Sequence, residues 1–426
     1  MGKRLLIIER DHHGHRMTGV RVLLDALLAL QRNSTCIDHI ELASTQEGFA
    51  SLEFKEQLAD ISNQFGRLSL PRQKLRPGTL STALTKVQDW RRLVCSGKYD
   101  HVYIPYGDGL VQLLAILAFL PWVTKKPSST CVETILMRGS FAYPMSPKHT
   151  RTMAIFGLEH APFDRIHLID PLAYKYVCNA RTNLQKRTRL LPDPITPTKP
   201  LDRGAAQQAL DLPGGQQWIG CIGAIDERKG ADLLFNAFAR AVESGELGAN
   251  CRLLLAGRHS ELVRKLMQSK NSKETTNRVV SIDRYLSEEE LSHAVAALDV
   301  VATPYPNFVG SASIVLRAAA GQRYCLGAET GWIQEIVPQF ELGETCDVNN
   351  IDSFAQAIAA ALESAKTYQP AEKQAAFVQY GTIANVSAHW TDLLREKANI
   401  NPDPHKQPYP GNLGQSDAVT ANAATR

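Results

Sequence analysis

The feature that most constrains this chain is an alternation of short apolar runs with helix-periodic stretches, which runs through residues 4–169, breaks, and starts again at residue 218. Strands are predicted over residues 4–9, 37–43, 101–106, 131–137 and 165–169. Helical patterns lie between them: residues 18–31 set Val20, Leu23, Leu24, Leu27 and Leu28 on one face, and residues 80–96 form another such stretch. Strands separated by helices cannot pair as hairpins. They lie parallel with helices packed on them, so the alternation specifies an α/β, doubly wound, Rossmann-like sheet.

The break is residues 192–200, PDPITPTKP, where four prolines in nine residues exclude regular structure and mark a domain boundary. Beyond it, strands are predicted at 218–222, 252–256, 278–282 and 300–304, and helices at 231–242, 260–268 and 287–298. The last of these opens on a capping box, Ser287 with Glu290. Three helices follow residue 351, the last over 383–397. From residue 398 the sequence is rich in Pro, Ala and Asn without periodicity and reads as a disordered tail. A chain of 426 residues, 44% of them hydrophobic, fills two cores.

Several function classes lose support. The net charge of +4 comes without a Lys/Arg stripe, which speaks against a nucleic-acid partner. Eight cysteines stand singly with no Cys-x-x-Cys pair, the pattern of reduced, buried thiols rather than of zinc or a disulfide framework. The first apolar run is too short for a signal peptide, so a cytoplasmic protein is expected. Residues 110–123, LVQLLAILAFLPWV, fall short of the ~20 residues that span a bilayer and read as a core helix ended by Pro121, with a peripheral membrane contact as the alternative. No Gly-x-Gly-x-x-Gly follows a strand, so a dinucleotide-binding dehydrogenase lacks its main support.

Four stretches can carry chemistry. Residues 303–337 run from a strand through a polar turn with Gly310, Ser311 and Ser313 into an apolar helix stopped by Gly321. Small residues at a helix start let an anion reach free N–H groups. The same residues also serve as plain capping chemistry. Residues 223–230, GAIDERKG, place Gly223 and Lys229 between a strand and a helix. Residues 11–16, DHHGHR, follow the first strand; adjacent His12 and His13 point apart, so a cleft-lining loop with His13, Gly14 and His15 is favoured over a metal site. Residues 137–144 carry Arg138 after another strand, and Asp108 is a further cleft group or a helix N-terminal charge.

The helix ending in Ala-Ala-Gly321, the segment Gly331-Trp332-Ile333-Gln334-Glu335-Ile336-Val337 and the Lys229-Gly230 turn together resemble the donor half of retaining GT-B glycosyltransferases of family four, the glycosyl transferases group 1. The resemblance covers the second half to Val337. It implies a GT-B fold with two Rossmann-like domains facing across a cleft: an acceptor domain at 1–195, a donor-nucleotide domain at 196–380, a helix at 381–397 crossing back to the first, and the tail at 398–426. It implies donor-binding roles for Gly223, Lys229, Gly310, Ser311, Ser313, Arg317 and Glu335, acceptor or cleft roles for His13, Gly14 and His15, and catalytic roles for Lys229 and Arg138. Diphosphate stabilisation by Lys229 and the helix N–H groups needs no metal or other cofactor.

The chain also departs from the family. Ala224 replaces the donor-site arginine; Arg228 is either the local substitute for that cation or a solvated charge. The family's Glu-x7-Glu pair falls on Val309 and Arg317, or in the other register on Phe308 and Leu316, and neither restores an acid. The implied activity is transfer of a sugar from a nucleoside diphosphate sugar to a carbohydrate or lipid acceptor with retention. The alternatives are a degenerate GT-B binding or scaffold protein and a GT-B sugar-nucleotide epimerase.

Overall fold

In strand β1 (Lys3–Ile8), Leu5, Leu6 and Ile7 are fully buried and Ile8 nearly so, as in a parallel strand covered on both faces. Leu5 and Ile7 cluster with Leu23 and Leu27 of the helix Arg16–Asn33 and with Val386 and Trp390 of the helix Ile383–Lys397. Leu6 and Ile8 cluster instead with Trp90, Val111, Leu158 and Val177, so successive residues of one strand feed two cores. The computed structural model describes residues 2–12, 16–71, 80–137, 139–143, 146–195, 201–268 and 273–413. It divides into two units, the first holding the chain up to Pro194 together with Ile383–Gln407, the second Ile195–Thr382 and Pro408–Gly411.

The first unit contains β1, β2 (Ile37–Thr45), β3 (Gly66–Leu70), β4 (His101–Ile104), β5 (Cys131–Leu136), β6 (Arg165–Leu168) and β7 (Thr188–Leu190). They form one parallel sheet in the order β3-β2-β1-β4-β5-β6-β7. The second unit contains β8 (Gln217–Ile222), β9 (Cys251–Ala256), β10 (Val279–Ile282), β11 (Val300–Thr303), β12 (Tyr324–Ala328) and β13 (Gly343–Cys346). Its parallel order is β10-β9-β8-β11-β12-β13. Two doubly wound parallel sheets were expected, and both are present. In each the strand order reverses once, beside β1/β4 in the first and β8/β11 in the second, and a doubly wound fold binds its ligands outside the carboxyl ends of the strands at that point.

The last helix belongs to the first unit, where Trp390 meets Tyr103 edge-on at 5.6 Å and lies 5.0 Å from His167. Beneath it the buried Glu133 carboxylate accepts from His101 Nε2 at 2.7 Å and His167 Nε2 at 2.8 Å. Burial pushes Glu133 up, but the two imidazole N–H bonds outweigh it and hold the carboxyl below its ordinary range. Burial pushes His167 down. The capping box at Ser287 is formed as predicted.

Two expectations are corrected. Residues 110–123 do not make one core helix: the helix Leu110–Ile116 gives way to a 3₁₀ turn, Leu117–Phe119, and a short helix, Pro121–Thr124, begins on the proline. Pro121 lacks an N–H and its ring excludes helical backbone at the preceding residue, so the chain is forced out of the helix a turn early and re-nucleates. The tail is ordered as far as Leu413. Gln407 N donates to Asn385 Oδ1 at 2.6 Å, Asp403 pairs with Arg395 at 2.9 Å, and in the second unit Tyr409 packs edge-on against Phe340 and Tyr380. Residues 414–426, and 196–200 of the proline-rich boundary, lie outside the described residues. All eight cysteines are free; six are buried, and Cys36 and Cys95 are half-buried. Among the described residues no helix is long and apolar enough to cross a membrane.

Candidate functional site

In the second unit the turn after β8 and the loop after β11 meet where the strand order reverses. Gly223 has φ +99°, and a Cβ there would lie 2.7 Å from Lys229 Nζ. Gly230 has φ +68°, and its Cβ would strike the Pro304 carbonyl. Only glycine permits this conformation and this closeness, and the two together seat Lys229 against the strand exit. The Lys229 ammonium donates to Ile222 O at 3.0 Å and lies 5.7 Å from the centre of the Tyr305 ring. It forms no ion pair among the described residues. Burial pushes its pKa down, and Arg228 and Arg317 push the same way.

The helix Ser313–Ala320 starts beside this lysine's loop. Its N-cap is Ala312, no side chain caps it, and Gly321 ends it as the sequence predicts. The first-turn N–H groups of any helix lack intrahelical partners and carry the positive end of its dipole. Gly310, with φ +104°, Ser311 and Ser313 are therefore placed at an anion-accepting helix start. Arg317, one turn on, is 8% exposed. Its Nη2 donates to Glu288 Oε2 at 2.6 Å, while Nη1 is buried with no partner among the described residues. Arg317 thus makes a structural ion pair and keeps an unused donor edge. In the other register Leu316 is core, 4% exposed, and Phe308 packs edge-on against Tyr305, so neither supplies polar chemistry. Glu335 is exposed on the helix Gly331–Gln339, and Arg228 is exposed with Asp226 at 3.6 Å. The structure therefore brings Gly223, Lys229, Gly310, Ser311 and Ser313 to one sheet edge and leaves Glu335 facing solvent.

The first unit holds a cavity of about 630 Å³ at its own reversal point, lined by Glu9, Arg16, Lys86, Tyr106, Asp108 and Met137 among others. Glu9 is 4% exposed. Its Oε1 accepts from Asp11 N at 2.9 Å and Arg16 Nη1 at 3.1 Å, and its Oε2 is buried without a partner among the described residues. Burial pushes the carboxyl up to about 7 against the pull of Arg16. The Arg16 guanidinium lies 4.2 Å from the centre of the Tyr106 ring. Lys86 donates to Asp108 O at 3.3 Å, and the Asp108 carboxylate accepts from Met137 N at 3.0 Å while lining the cavity. His13, Gly14, His15 and Arg138 lie outside the described residues; their neighbours Asp11, Arg16 and Met137 line the cavity.

Sequence reasoning missed Glu9, Lys86, Tyr106, Tyr305 and Glu288, and gave Arg16 no role of its own within residues 11–16. One signal was available: RLLIIE ends an apolar strand on an acid, at the sheet edge where such folds bind ligands.

Residues 216–364 match the family model described as glycosyl transferases group 1. No curated protein sequence matches the chain. Among solved structures it is similar to a sucrose-phosphate synthase from Thermosynechococcus elongatus, with TM-score 0.67 and 16% identity over 93% of this chain and 99% of that one. It is similar to HepE from Anabaena in complex with UDP, with TM-score 0.64 and 16% identity over 92% and 100% of the two chains. A glycosyltransferase from Rickettsia africae gives TM-score 0.64 and 10% identity over 94% and 100%. The fold is that of the GT-B glycosyltransferases.

Proposed function

We propose that this chain, whose second unit matches the glycosyl transferases group 1 and whose fold is GT-B, transfers a sugar from a nucleoside diphosphate sugar to an acceptor hydroxyl with retention of configuration. The observation that carries the proposal is Lys229, a half-buried ammonium whose near partner is a neutral carbonyl. Drawing a cation partly out of water without an ion-pair partner costs free energy, and a diphosphate would supply the counter-charge. The uncapped start of the helix Ser313–Ala320 and Arg317 Nη1 add donors on the same side of the sheet edge. As the sugar leaves, negative charge grows on the β-phosphate, and fixed donors already aimed there stabilise it without reorganising. HepE was solved with UDP and with UDP-glucose, and we assign this chain a donor of the same class. The cavity beside Glu9 would take the acceptor, a carbohydrate or lipid hydroxyl.

The test is a panel of nucleoside diphosphate sugars read by thermal shift and by release of free nucleotide, on wild type and Arg317→Ala. Binding with turnover, both reduced in the variant, is the expected result. Binding without turnover across a broad acceptor set would indicate a degenerate binding module, and absence of binding to any nucleotide would remove the donor-site assignment altogether.

A further inference from the structure

The first unit carries a second feature that the transferase reading does not use. Of the five tryptophans, Trp90, Trp218, Trp332 and Trp390 are at most 2% exposed, whereas Trp122 is 71% exposed. Phe119 beside it is 75% exposed and Ile116 is 52% exposed. The cause is local. After Ile116 the chain leaves the helix, so Leu114 and Ala115 still reach the core while the 3₁₀ turn and the short helix Pro121–Thr124 turn their apolar side chains outward.

The surrounding charge has one sign. The turn Trp90–Val94 packs against Pro121–Thr124, with Trp90 Nε1 donating to Thr124 O at 3.3 Å, and it carries the exposed Arg91 and Arg92. Lys125 follows the patch directly and Lys98 is close by in the fold, Gly97 lying against Pro127. These four make no ion pair among the described residues. The carboxylates of the same segment point elsewhere: Asp89 pairs with Arg10, Asp100 accepts from Arg4 N, and Asp108 from Met137 N.

We propose that this protruding Ile116–Phe119–Trp122 turn, ringed by Arg91, Arg92, Lys98 and Lys125, docks the protein peripherally on an anionic lipid bilayer. Trp and Phe with flanking cations suit the headgroup region, where an amphipathic ring sits at the interface and Lys/Arg meet phosphate. The size of the patch argues against a protein partner. Three side chains at these exposures offer roughly 400 Å², against about 800 Å² per partner in a stable protein interface. With no described helix able to cross a membrane, the contact lies on the surface. The inference stands independently of the sugar-transfer reading.

The experiment is vesicle flotation of the full chain with phosphatidylcholine alone and with phosphatidylglycerol mixed in, alongside tryptophan fluorescence. Wild type should float with the anionic vesicles and much less with the neutral ones, salt should weaken the binding, and emission should shift to the blue, since Trp122 is the exposed ring. Phe119→Ser/Trp122→Ser should lower the partition at least about tenfold, and Arg91→Glu/Arg92→Glu should remove the preference for anionic lipid. Because these side chains face solvent, an unchanged melting temperature certifies the variants as folded. Wild type remaining unbound to both vesicles, or the aromatic double variant floating like wild type, overturns the proposal. Self-association in sedimentation velocity that the same variant abolishes, without vesicle binding, assigns the patch to a second copy instead.

Discussion

Replacing Lys229 by Ala deletes an ammonium that is seated against Gly223, bonded to Ile222 O at 3.0 Å and lowered in pKa by burial. Two consequences follow with opposite signs. In the free protein the charged form is already penalised, so its removal should leave stability at neutral pH unchanged or slightly raised. A lysine whose folded pKa is depressed adds nothing to stability where it is forced to stay charged. In the complex with a nucleoside diphosphate the same ammonium would make a charge-assisted hydrogen bond, for which ~1.5–3 kcal/mol is the usual contribution, or roughly a 10- to 150-fold loss of affinity. Calorimetric titration of UDP into wild type, Lys229→Ala and Lys229→Met measures this directly, the methionine keeping the stem while removing the charge. If turnover is present, kcat should fall by about 10²–10³, as for loss of one preorganised donor to a developing oxyanion. Wild-type binding with both variants within twofold of it would refute the reasoning, because the half-buried cation would then have no anionic guest.

Glu9→Gln tests the first unit's cavity. A carboxyl whose folded pKa rises from 4.5 to about 7 contributes stability that is fully present below pH 4.5 and lost as pH rises through 7, so from pH 4.5 to above 7 wild type should lose about 3 kcal/mol that the glutamine variant retains; parallel stability curves would exclude it. Truncation after residue 398 removes Tyr409 from Phe340 and Tyr380. At ~0.5–1.5 kcal/mol per aromatic pair it should destabilise by about 1–3 kcal/mol, and an unchanged melting temperature would show the segment to be a dispensable tail after all.

What could be read from the sequence follows burial and length. The inner strands β1, β4, β5, β8, β9 and β11 are mostly apolar and covered on both faces, and they were predicted to within a few residues. Three of the four edge strands escaped, while the fourth, β10, was predicted at 278–282 and runs Val279–Ile282. β3 (GRLSL) and β13 (GETC) are half-polar and partly exposed, and β7 spans three residues, so none carries a periodicity distinct from a loop. β12 is wholly buried but short, and its glycine reads as a break. The site divides along similar lines. Lys229 and Gly310 could be found because glycine punctuation marks the turns that hold them. Glu9 could not, since an acid after an apolar run reads as the point where a strand meets water, and its burial depends on residues far along the chain, such as Lys86 and Tyr106. The tail looked structureless because its anchors are scattered single contacts, among them the Tyr409 ring, the Gln407 amide, the buried Leu413 and ion pairs of Asp403 and Lys406, rather than a repeated apolar face.

The lost acid pair makes Arg317 the residue on which the donor reading turns. A carboxylate can accept from ribose hydroxyls; a guanidinium only donates. With Nη2 held by Glu288 and Nη1 buried and unused, Arg317 is fixed in orientation before any ligand arrives, and little side-chain entropy remains to be lost on binding. Its charge also bears on Lys229, which the pKa of that lysine registers. Glu288 offsets part of the Arg317 charge, yet that charge still bears on Lys229, so an anion lying beside both cations relieves the opposition that remains and adds to the gain from binding a diphosphate. A ligand with a neutral head would leave that repulsion in place. The rebuilt site would therefore discriminate by phosphate charge more strongly than by ribose, and nucleoside monophosphates should bind more weakly than diphosphates by more than the loss of Lys229 alone accounts for. Equal affinity for the two would mean that Arg317 is held by Glu288 for structure only, leaving Lys229 and the helix start as the whole of the anion site.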